Sequence, residues 1–335
     1  MSKCRIAILI PEPHYDRVIV GDTIARLSRL GEVLRPATSS EGLAASLREL
    51  LETVDVCLTG WGTPPLPLTS LGPDARLRLI AHTAGSVRRL IPLEAYNRDI
   101  QVTHAAPVLA DAVAECTLLF MLEGLRRVGE MDRRLKAGVP FREAGDVYPG
   151  DLLQGQRVGL VGAGYVGRRV IRLLAPFSAD VSVYDPYLSA ADAANLGVGR
   201  VDLDTLFAMS RIVSIHAPST PETRHMIGVR QLRLLREHAI VVNTARSWSV
   251  DQDALLAELR RQRIWAALDV FDEEPLAVDH PFRRLHNVVL TPHIAGRSLT
   301  TLRRQGEAMV DEIRRWIDGE PLQFAITQAM FSIMA

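Results

Sequence analysis

Three glycines with the spacing Gly-x-Gly-x-x-Gly separate an apolar, strand-like run from a run of helix-forming residues. In this order Gly162 permits a tight turn, Gly164 lets a pyrophosphate approach the backbone, and Gly167 lets the helix pack closely on the strand. The first helical turn, which includes Tyr165 and Val166, then directs its unpaired N–H groups at the anion. The spacing predicts a dinucleotide-binding loop, although a tight turn without a ligand also favours glycine here.

An acidic residue, Asp185, ends the next strand-like run, about twenty residues after the glycines. At this place a carboxylate accepts hydrogen bonds from both hydroxyls of an adenosine ribose, and it repels a 2′-phosphate. We therefore expect the cofactor to be NAD rather than NADP.

Three polar residues, Arg246, Glu274 and His293, each come shortly after a strand-like run in the second half of the chain. The carboxyl ends of parallel strands face the ligand in open α/β sheets. A guanidinium offers a planar fork to a carboxylate, and a histidine paired with a carboxylate carries protons near neutral pH. Together they predict hydride-coupled proton transfer, with His293 taking a hydroxyl proton while NAD accepts the hydride. Taken singly, each also fits a solvated surface or loop residue.

Alternating strand-like and helical runs predict parallel α/β units on both sides of the glycine loop. In the first half, helical runs at 17–30 and 42–51 lie between strand-like runs, and 61–67 is a predicted loop at the end of a strand. The strand-like runs of the first half are 5–10, 33–34, 55–58, 77–81 and 100–103. The same alternation follows the glycine loop, so we expect a doubly wound sheet there too.

The segments that join the two halves are predicted from their periodicity and breakers. Apolar residues at helical spacing over 111–136 predict one long bridging helix. Glycine, proline and charged residues over 137–149 predict an irregular loop, and Leu152 opens the next predicted strand. A further helix is expected over 296–317, before a short tail.

Composition limits the class of protein and its partners. A chain of 335 residues fits two domains, and its 47% hydrophobic and 23% charged residues are ordinary for a globular protein. Basic and acidic residues both number 39, and no basic segment carries interleaved aromatics, so nucleic acid is not an expected partner.

Cysteines and apolar runs predict the compartment. Cys4, Cys57 and Cys116 lie far apart in apolar runs, as expected for buried thiols in a reducing compartment, and none has the spacing of a metal site. The first strand is too short for a signal peptide, and no apolar run reaches the length of a membrane span. We expect a cytoplasmic protein without a metal ion.

These residues also carry a resemblance to a known family. Over essentially its whole length the chain resembles the D-isomer-specific 2-hydroxyacid dehydrogenases, the family of phosphoglycerate, D-lactate and glycerate dehydrogenases. Besides the glycine loop, the likeness is strongest in four segments: 216–223, 242–246, 268–276 and 291–296.

The resemblance implies two doubly wound parallel-sheet α/β domains with a cleft between them. Residues 104–295 would form the NAD-binding Rossmann domain. Residues 1–103 and 296–335 would form a discontinuous, flavodoxin-like substrate domain. It also implies a homodimer joined through the nucleotide-binding domain and the bridging helix.

The resemblance further implies roles for individual residues. Arg246, Glu274 and His293 match the catalytic residues, and Asp269 matches the aspartate that holds the nicotinamide amide. The other implied cofactor-lining residues are Ala217, Pro218, Thr244, Ala245 and Gly296. The backbone N–H groups of 83–87 would form a cradle for the substrate carboxylate. The implied substrate-binding residues are Trp61, Ala84, Gly85, Ser86, Arg246 and Arg297, of which Trp61 and Arg297 would shape the variable end of the substrate.

Departures from the family pattern leave alternatives open. Ser247 and Trp248 replace the usual glycine turn after the arginine, and Val87 and Arg88 lie where the cradle usually continues as aspartate-asparagine. Ala84 replaces the lysine of phosphite dehydrogenases, which disfavours phosphite oxidation. Two alternatives to a D-2-hydroxyacid dehydrogenase are an NAD(H)-sensing, corepressor-like binding protein and a dehydrogenase acting on a phosphonate or other non-carboxylate alcohol.

Overall fold

The computed structural model describes residues 3–146 and 148–334. The chain forms two units, one made of Met1–Leu109 with Arg297–Ala335 and the other of Ala110–Gly296. The boundaries implied by the resemblance lie after 103 and 295, whereas here residues 104–109 belong to the first unit and Gly296 to the second.

Strands and helices alternate along the chain. The strands are β1 Arg5–Ile8, β2 Glu32–Leu34, β3 Val56–Thr59, β4 Leu79–His82, β5 Gln101–His104, β6 Arg157–Val161, β7 Asp180–Tyr184, β8 Gly199–Arg200, β9 Ile212–Ile215, β10 Ile240–Asn243, β11 Trp265–Leu268 and β12 Val288–Leu290. The α-helices are α1 Tyr15–Val18, α2 Thr23–Leu30, α3 Ser40–Thr53, α4 Ala106–Arg126, α5 Val128–Lys136, α6 Phe141–Gly145, α7 Tyr165–Leu174, α8 Ala190–Leu196, α9 Leu203–Met209, α10 Val229–Leu234, α11 Gln252–Arg260, α12 Leu299–Ile317 and α13 Gln328–Ile333.

Each unit is built on one parallel sheet. In the first unit the strand order is β2-β1-β3-β4-β5, the order of flavodoxin-like folds. In the second unit it is β12-β11-β10-β9-β6-β7-β8, a Rossmann order extended by one strand. The predicted class of two parallel α/β domains is confirmed.

The strands are apolar because helices cover both faces of each sheet. In β1, Ile6 and Ile8 belong to one buried cluster while Ala7 belongs to the cluster on the opposite face. Helix α7 shows the matching pattern on its side, since Gly167, Val170, Ile171 and Leu174 recur at helical spacing and are buried.

Some sequence-based boundaries were wrong. The helix predicted over 111–136 is two helices, α4 and α5, because Arg127 adopts a left-handed conformation with φ of 51°. Its guanidinium lies 4.0 Å from the centre of the Tyr148 ring, a tertiary contact that local propensity does not report. The predicted helix over 17–30 is likewise divided into α1 and α2.

Three other segments also differ from expectation. The loop expected over 137–149 contains α6, which begins directly after Pro140, a residue that favours the start of a helix; Val147 lies outside the described residues. The strand expected from Leu152 begins at Arg157, after a turn in which Gly155 has a φ of 70°. Helix α12 begins at Leu299 because the Ser298 side chain caps it by accepting from Thr301 N.

A buried carboxylate fastens the C-terminal segment within the first unit. Glu312 on α12 is only 1% exposed and accepts hydrogen bonds from the Thr103 hydroxyl at 2.7 Å and from the amides of Gln323 and Phe324. These bonds satisfy a charge that would otherwise be costly to bury. Within the described residues, no helix is both long and apolar enough to cross a membrane.

Candidate active site

The glycine loop joins β6 to α7 in the second unit. Gly162 has a φ of 102°, and a Cβ atom there would lie 2.9 Å from the carbonyl oxygen of His216. A Cβ atom at Gly167 would lie 2.3 Å from the Gly162 carbonyl oxygen, so only glycine allows this approach of helix to turn. Helix α7 starts immediately behind the turn, with Gly164 at its N-cap position. The loop has the geometry of a pyrophosphate-binding helix N-terminus.

Gly164 differs from the other two glycines because the surrounding protein leaves room for a side chain. Its φ is −73°, and a Cβ atom would meet nothing within 4 Å. We expect Gly164→Ala to keep the thermal unfolding temperature of the protein but to raise the NADH dissociation constant about tenfold or more, because its methyl group would occupy the space that a phosphate needs.

Fluorescence titration with NADH and thermal unfolding measure the two effects separately. Gly145→Ala is the matched control, since a Cβ atom there also meets nothing within 4 Å. Unchanged NADH affinity in Gly164→Ala would argue against pyrophosphate binding at this loop.

Asp185 lies directly after β7, as expected, and its carboxylate is held by two backbone amides. One oxygen accepts from Ala163 N and the other from Tyr187 N, both at 2.8 Å. Each oxygen retains a lone pair for a further donor such as a ribose hydroxyl. A cavity of about 500 Å³ opens at this point, lined by Val183, Tyr184, Asp185, Pro186, Arg200, Val201 and Asp202. The residues present fit the adenosine half of a dinucleotide.

His293 and Glu274 form a hydrogen-bonded pair. His293 Nδ1 lies 2.7 Å from Glu274 Oε2, and the other oxygen of Glu274 accepts from Phe271 N at 3.1 Å. The two side chains are 44% and 36% exposed, so a small molecule can reach them. A cavity of about 370 Å³ adjoins the pair, lined by Phe271, Glu274, Pro275, Leu276, Arg283, Leu290, Thr291, Pro292 and His293.

Asp269 determines the conformation of the histidine loop. It is fully buried, and its carboxylate accepts from the Thr291 hydroxyl and from the amides of Ile294 and Ala295. Its carbonyl oxygen also accepts from His293 N at 2.9 Å. His293 has a φ of 52°, and these bonds on both sides hold the backbone in that uncommon region. Sequence reasoning found only a cofactor contact for Asp269 and missed this anchoring.

Arg246 lies on the loop after β10, the strand beside β11, which is followed by Glu274. The Asn243 side chain shapes this loop by donating to the Arg246 carbonyl at 2.9 Å and accepting from Ala245 N at 3.1 Å. The guanidinium is oriented by a bond from its Nη1 to the Ala245 carbonyl oxygen at 2.7 Å. Thr244, on the same loop, shares a hydrogen bond with the Thr117 hydroxyl.

The residues that replace the usual glycine turn form a short 3-10 helix, Ser247–Ser249. This is a right-handed conformation, which does not require glycine. Trp248 Nε1 donates to the Thr220 carbonyl oxygen at 2.7 Å, and the Arg224 guanidinium lies 5.2 Å from the centre of the indole ring. The substitution therefore fastens the arginine loop to the loop after β9, which also carries Ala217 and Pro218.

The candidate cradle, residues 83–87, follows β4 in the first unit. Within the part of the chain that the structure describes, the N–H groups of residues 84–87 donate to no other residue, although Ala84 and Val87 are buried. Buried backbone donors without acceptors are rare, and successive free N–H groups form anion-binding concavities. Arg88, the departure from the family pattern, donates to the carbonyl oxygens of Phe331, Ser332 and Met334 and so ties the cradle to the end of α13.

Trp61 lies on the loop after β3 in the same unit and contacts a histidine that sequence reasoning missed. The rings of Trp61 and His14 are 6.2 Å apart and tilted. Burial, and then the positive charges of Arg17 and Arg297, lower the pKa of His14. The charge of Arg297 is therefore close enough to lower the pKa of His14, the residue that contacts Trp61.

Comparisons with known proteins extend over both units. A family profile described as "D-isomer specific 2-hydroxyacid dehydrogenase, NAD binding domain" matches residues 118–295. Glyoxylate reductase from Korarchaeum cryptofilum is 35% identical over 285 residues, which are 82% of this chain and 84% of that protein. Hydroxypyruvate reductase from Thermotoga maritima is 33% identical over 270 residues, 80% of this chain and 86% of that protein.

Solved structures show the same relationship. The holo form of D-mandelate dehydrogenase from Rhodotorula graminis matches with a TM-score of 0.83 and 25% identity, covering 97% of this chain and 98% of that one.

Within the described residues, no group of three or more histidine, cysteine or acidic side chains has the arrangement of a metal site.

Proposed function

Because the chain belongs to the D-isomer-specific 2-hydroxyacid dehydrogenase family, we propose that Arg246, Glu274 and His293 interconvert a D-2-hydroxy acid and its 2-keto acid. The protein is an NAD-dependent oxidoreductase. The observation that carries the assignment of residues is the 2.7 Å hydrogen bond between His293 and Glu274 at the carboxyl edge of the NAD-binding sheet.

The geometry of this pair determines which nitrogen of His293 exchanges a proton with the substrate. An ionised carboxylate only accepts hydrogen bonds, so Glu274 holds the proton of His293 on Nδ1 and leaves Nε2 to exchange a proton with substrate. In oxidation Nε2 takes the hydroxyl proton, and the resulting imidazolium is stabilised by Glu274. In reduction the imidazolium returns a proton to the forming alkoxide. When bound, the cofactor would accept the hydride in oxidation and donate it in reduction.

Arg246 binds the substrate beside this pair. Its guanidinium is always charged and presents a planar fork to the carboxylate or keto oxygen of the substrate. The bond from Nη1 to the Ala245 carbonyl fixes the plane of the guanidinium before substrate arrives, which lowers the entropy cost of binding. The free N–H groups of the cradle provide a second place for a carboxylate.

A panel of 2-keto acids tests the proposal. Purified protein is mixed with NADH and with glyoxylate, hydroxypyruvate or phenylglyoxylate, and the loss of NADH absorbance is followed. Turnover supports the proposed function. NADH binding without turnover across the panel would instead favour a cofactor-sensing protein, while turnover of a phosphonate or simple alcohol alone would favour the non-carboxylate alternative.

The variable end of the substrate is assigned to Trp61 and Arg297, with His14 as a third contact. Arg297→Ala should reduce kcat/KM for 2-oxoglutarate, whose far end is anionic, about tenfold more than for glyoxylate, because a cation there favours a second negative charge. Trp61→Ala should change the ratio of kcat/KM for an aromatic 2-keto acid to kcat/KM for glyoxylate by a similar factor.

Steady-state kinetics over the panel measure both ratios. Arg29→Ala, an exposed arginine of α2, is the matched control. If Trp61→Ala and Arg297→Ala both preserve the order of substrates, this assignment of the variable end fails.

Two further features are part of the proposal. A homodimer joined through the nucleotide-binding unit is supported by large apolar side chains exposed on α4–α6 and on the segment after them. These side chains are Leu119, Val128, Leu135, Phe141 and Leu152, of which Phe141 is 83% exposed.

A cytoplasmic location is supported by the three free thiols, Cys4, Cys57 and Cys116.

A further inference from the structure

Two buried histidines lie side by side behind the candidate cradle. His82 is the last residue of β4 and His104 the last residue of β5, and the two are partners in the parallel register of these strands. Their exposed fractions are 4% and 0%. The proton-transfer chemistry derived above uses neither residue.

Several carbonyl groups of the cradle are held by hydrogen bonds. Ala105 N donates to the Ala84 carbonyl, His104 Nδ1 lies 2.8 Å from the Gly85 carbonyl oxygen, and the amides of Leu90 and Ile91 donate to the Val87 carbonyl. The ring of His82 lies near the backbone of Ser86, and its Nδ1 shares a hydrogen bond with the Thr59 hydroxyl at 3.0 Å. The Gly85 carbonyl is held by His104, and the N–H group of the same peptide, that of Ser86, donates to no other residue in the described part of the chain and can point toward a ligand.

The two rings are neutral, and that of His104 is a donor. A carbonyl oxygen only accepts hydrogen bonds, so the proton of the His104 ring must be on Nδ1. Burial lowers the pKa of His104 and lowers the pKa of His82 to about 3, and the nearby His104 also contributes to the lowering at His82. Both rings are therefore uncharged at neutral pH and add no cation behind the cradle.

We propose that His104, packed beside His82, is a positioning residue that holds the Gly85 carbonyl so that the cradle N–H groups bind the substrate carboxylate. The inference rests on the proposed function, because it assigns the support of a substrate contact in that reaction. It predicts that losing the donor at 104 weakens keto-acid binding more than it weakens turnover or NADH binding.

Two variants of His104 separate the donor from the bulk of the ring. His104→Asn keeps an amide N–H near the position of Nδ1, whereas His104→Leu fills space without any donor. We expect His104→Leu to raise KM for glyoxylate about tenfold, the effect of one lost hydrogen bond at the cradle, with kcat and the NADH dissociation constant changed about twofold or less. His104→Asn should restore KM close to that of the wild type.

Thr103→Val is the matched control for a general loss of stability. Thr103 precedes His104 on β5, is equally buried, and loses its bond to Glu312 on substitution without touching the cradle. We expect Thr103→Val to lower the unfolding temperature while leaving KM for glyoxylate unchanged.

Each outcome decides the inference. An active His104→Leu enzyme with unchanged KM would overturn it, as would equal increases of KM in His104→Leu and His104→Asn. If His104→Leu does not fold, NMR of ring nitrogens in the wild type decides. A neutral Nδ1–H ring of His104 at about pH 7 supports the proposal, and a protonated ring or the other tautomer at that pH contradicts it. Wild-type protein that reduces no 2-keto acid would instead reject the proposed function, and the inference with it.

Discussion

Replacing His293 with alanine is expected to lower kcat for 2-keto acid reduction by about 10²- to 10⁴-fold, the usual contribution of a positioned general acid. The imidazole is hydrogen-bonded to Glu274 and lies on a loop that Asp269 holds in place, so the substitution removes a proton donor whose position is fixed. The NADH dissociation constant should stay nearly unchanged, because the glycine loop and Asp185 lie on other strands of the sheet.

Stopped-flow measurement of NADH oxidation and fluorescence titration of NADH check the two parts of this expectation. His286→Ala provides the control, since His286 is exposed and lies just before β12. Normal turnover in His293→Ala would refute the assigned role, and a large loss of NADH affinity would mean that the histidine supports the cofactor rather than the proton transfer.

Replacing Arg246 with alanine should lower kcat/KM for the keto acid by about 10² to 10³, because charge-assisted hydrogen bonds to the substrate contribute more than neutral ones. Arg246→Lys keeps the charge but not the planar fork, and we expect it to recover only part of the activity. The exposed Arg233 on α10 is the control, and Arg233→Ala should have no effect.

Steady-state kinetics with saturating NADH measure the loss, and thermal unfolding shows whether the loop stays folded. The Arg246 carbonyl accepts from the Asn243 side chain, a bond that alanine preserves, so stability should be nearly unaffected. Full activity in Arg246→Ala would show that Arg246 does not bind the substrate. Equal activity of Arg246→Lys and the wild type would show that the charge matters and the planar fork does not.

Much of the cofactor site was predictable because its determinants are local. The site depends on two glycines and a carboxylate that lie within about twenty-five residues of one another. They are Gly162 with its positive φ, Gly167 against a carbonyl, and Asp185 after β7. The family, the NAD cofactor and the class of enzyme predicted from these residues and from the resemblance are confirmed. The roles of Arg246, Glu274 and His293 stay predictions, although the structure joins two of them by a hydrogen bond.

Contacts between residues distant in the chain were not predictable. Arg127, where the long helix is interrupted, contacts the ring of Tyr148, twenty-one residues further along the chain. Arg88 donates to carbonyl oxygens at the end of α13, more than two hundred residues away. The contacts of His82 and His104 were not predictable either, because nothing in their neighbouring residues shows which group each ring meets.

The sequence by itself determined the alternating elements, the two sheets and the dinucleotide loop, since hydrophobic periodicity and glycine spacing act over one or two turns of chain. Only the tertiary structure decided which buried group holds which loop: Asp269 behind the histidine, Asn243 behind the arginine, and His104 behind the cradle. The physical reason is that a buried polar atom must find a partner, and which partner it finds depends on packing that no local pattern encodes.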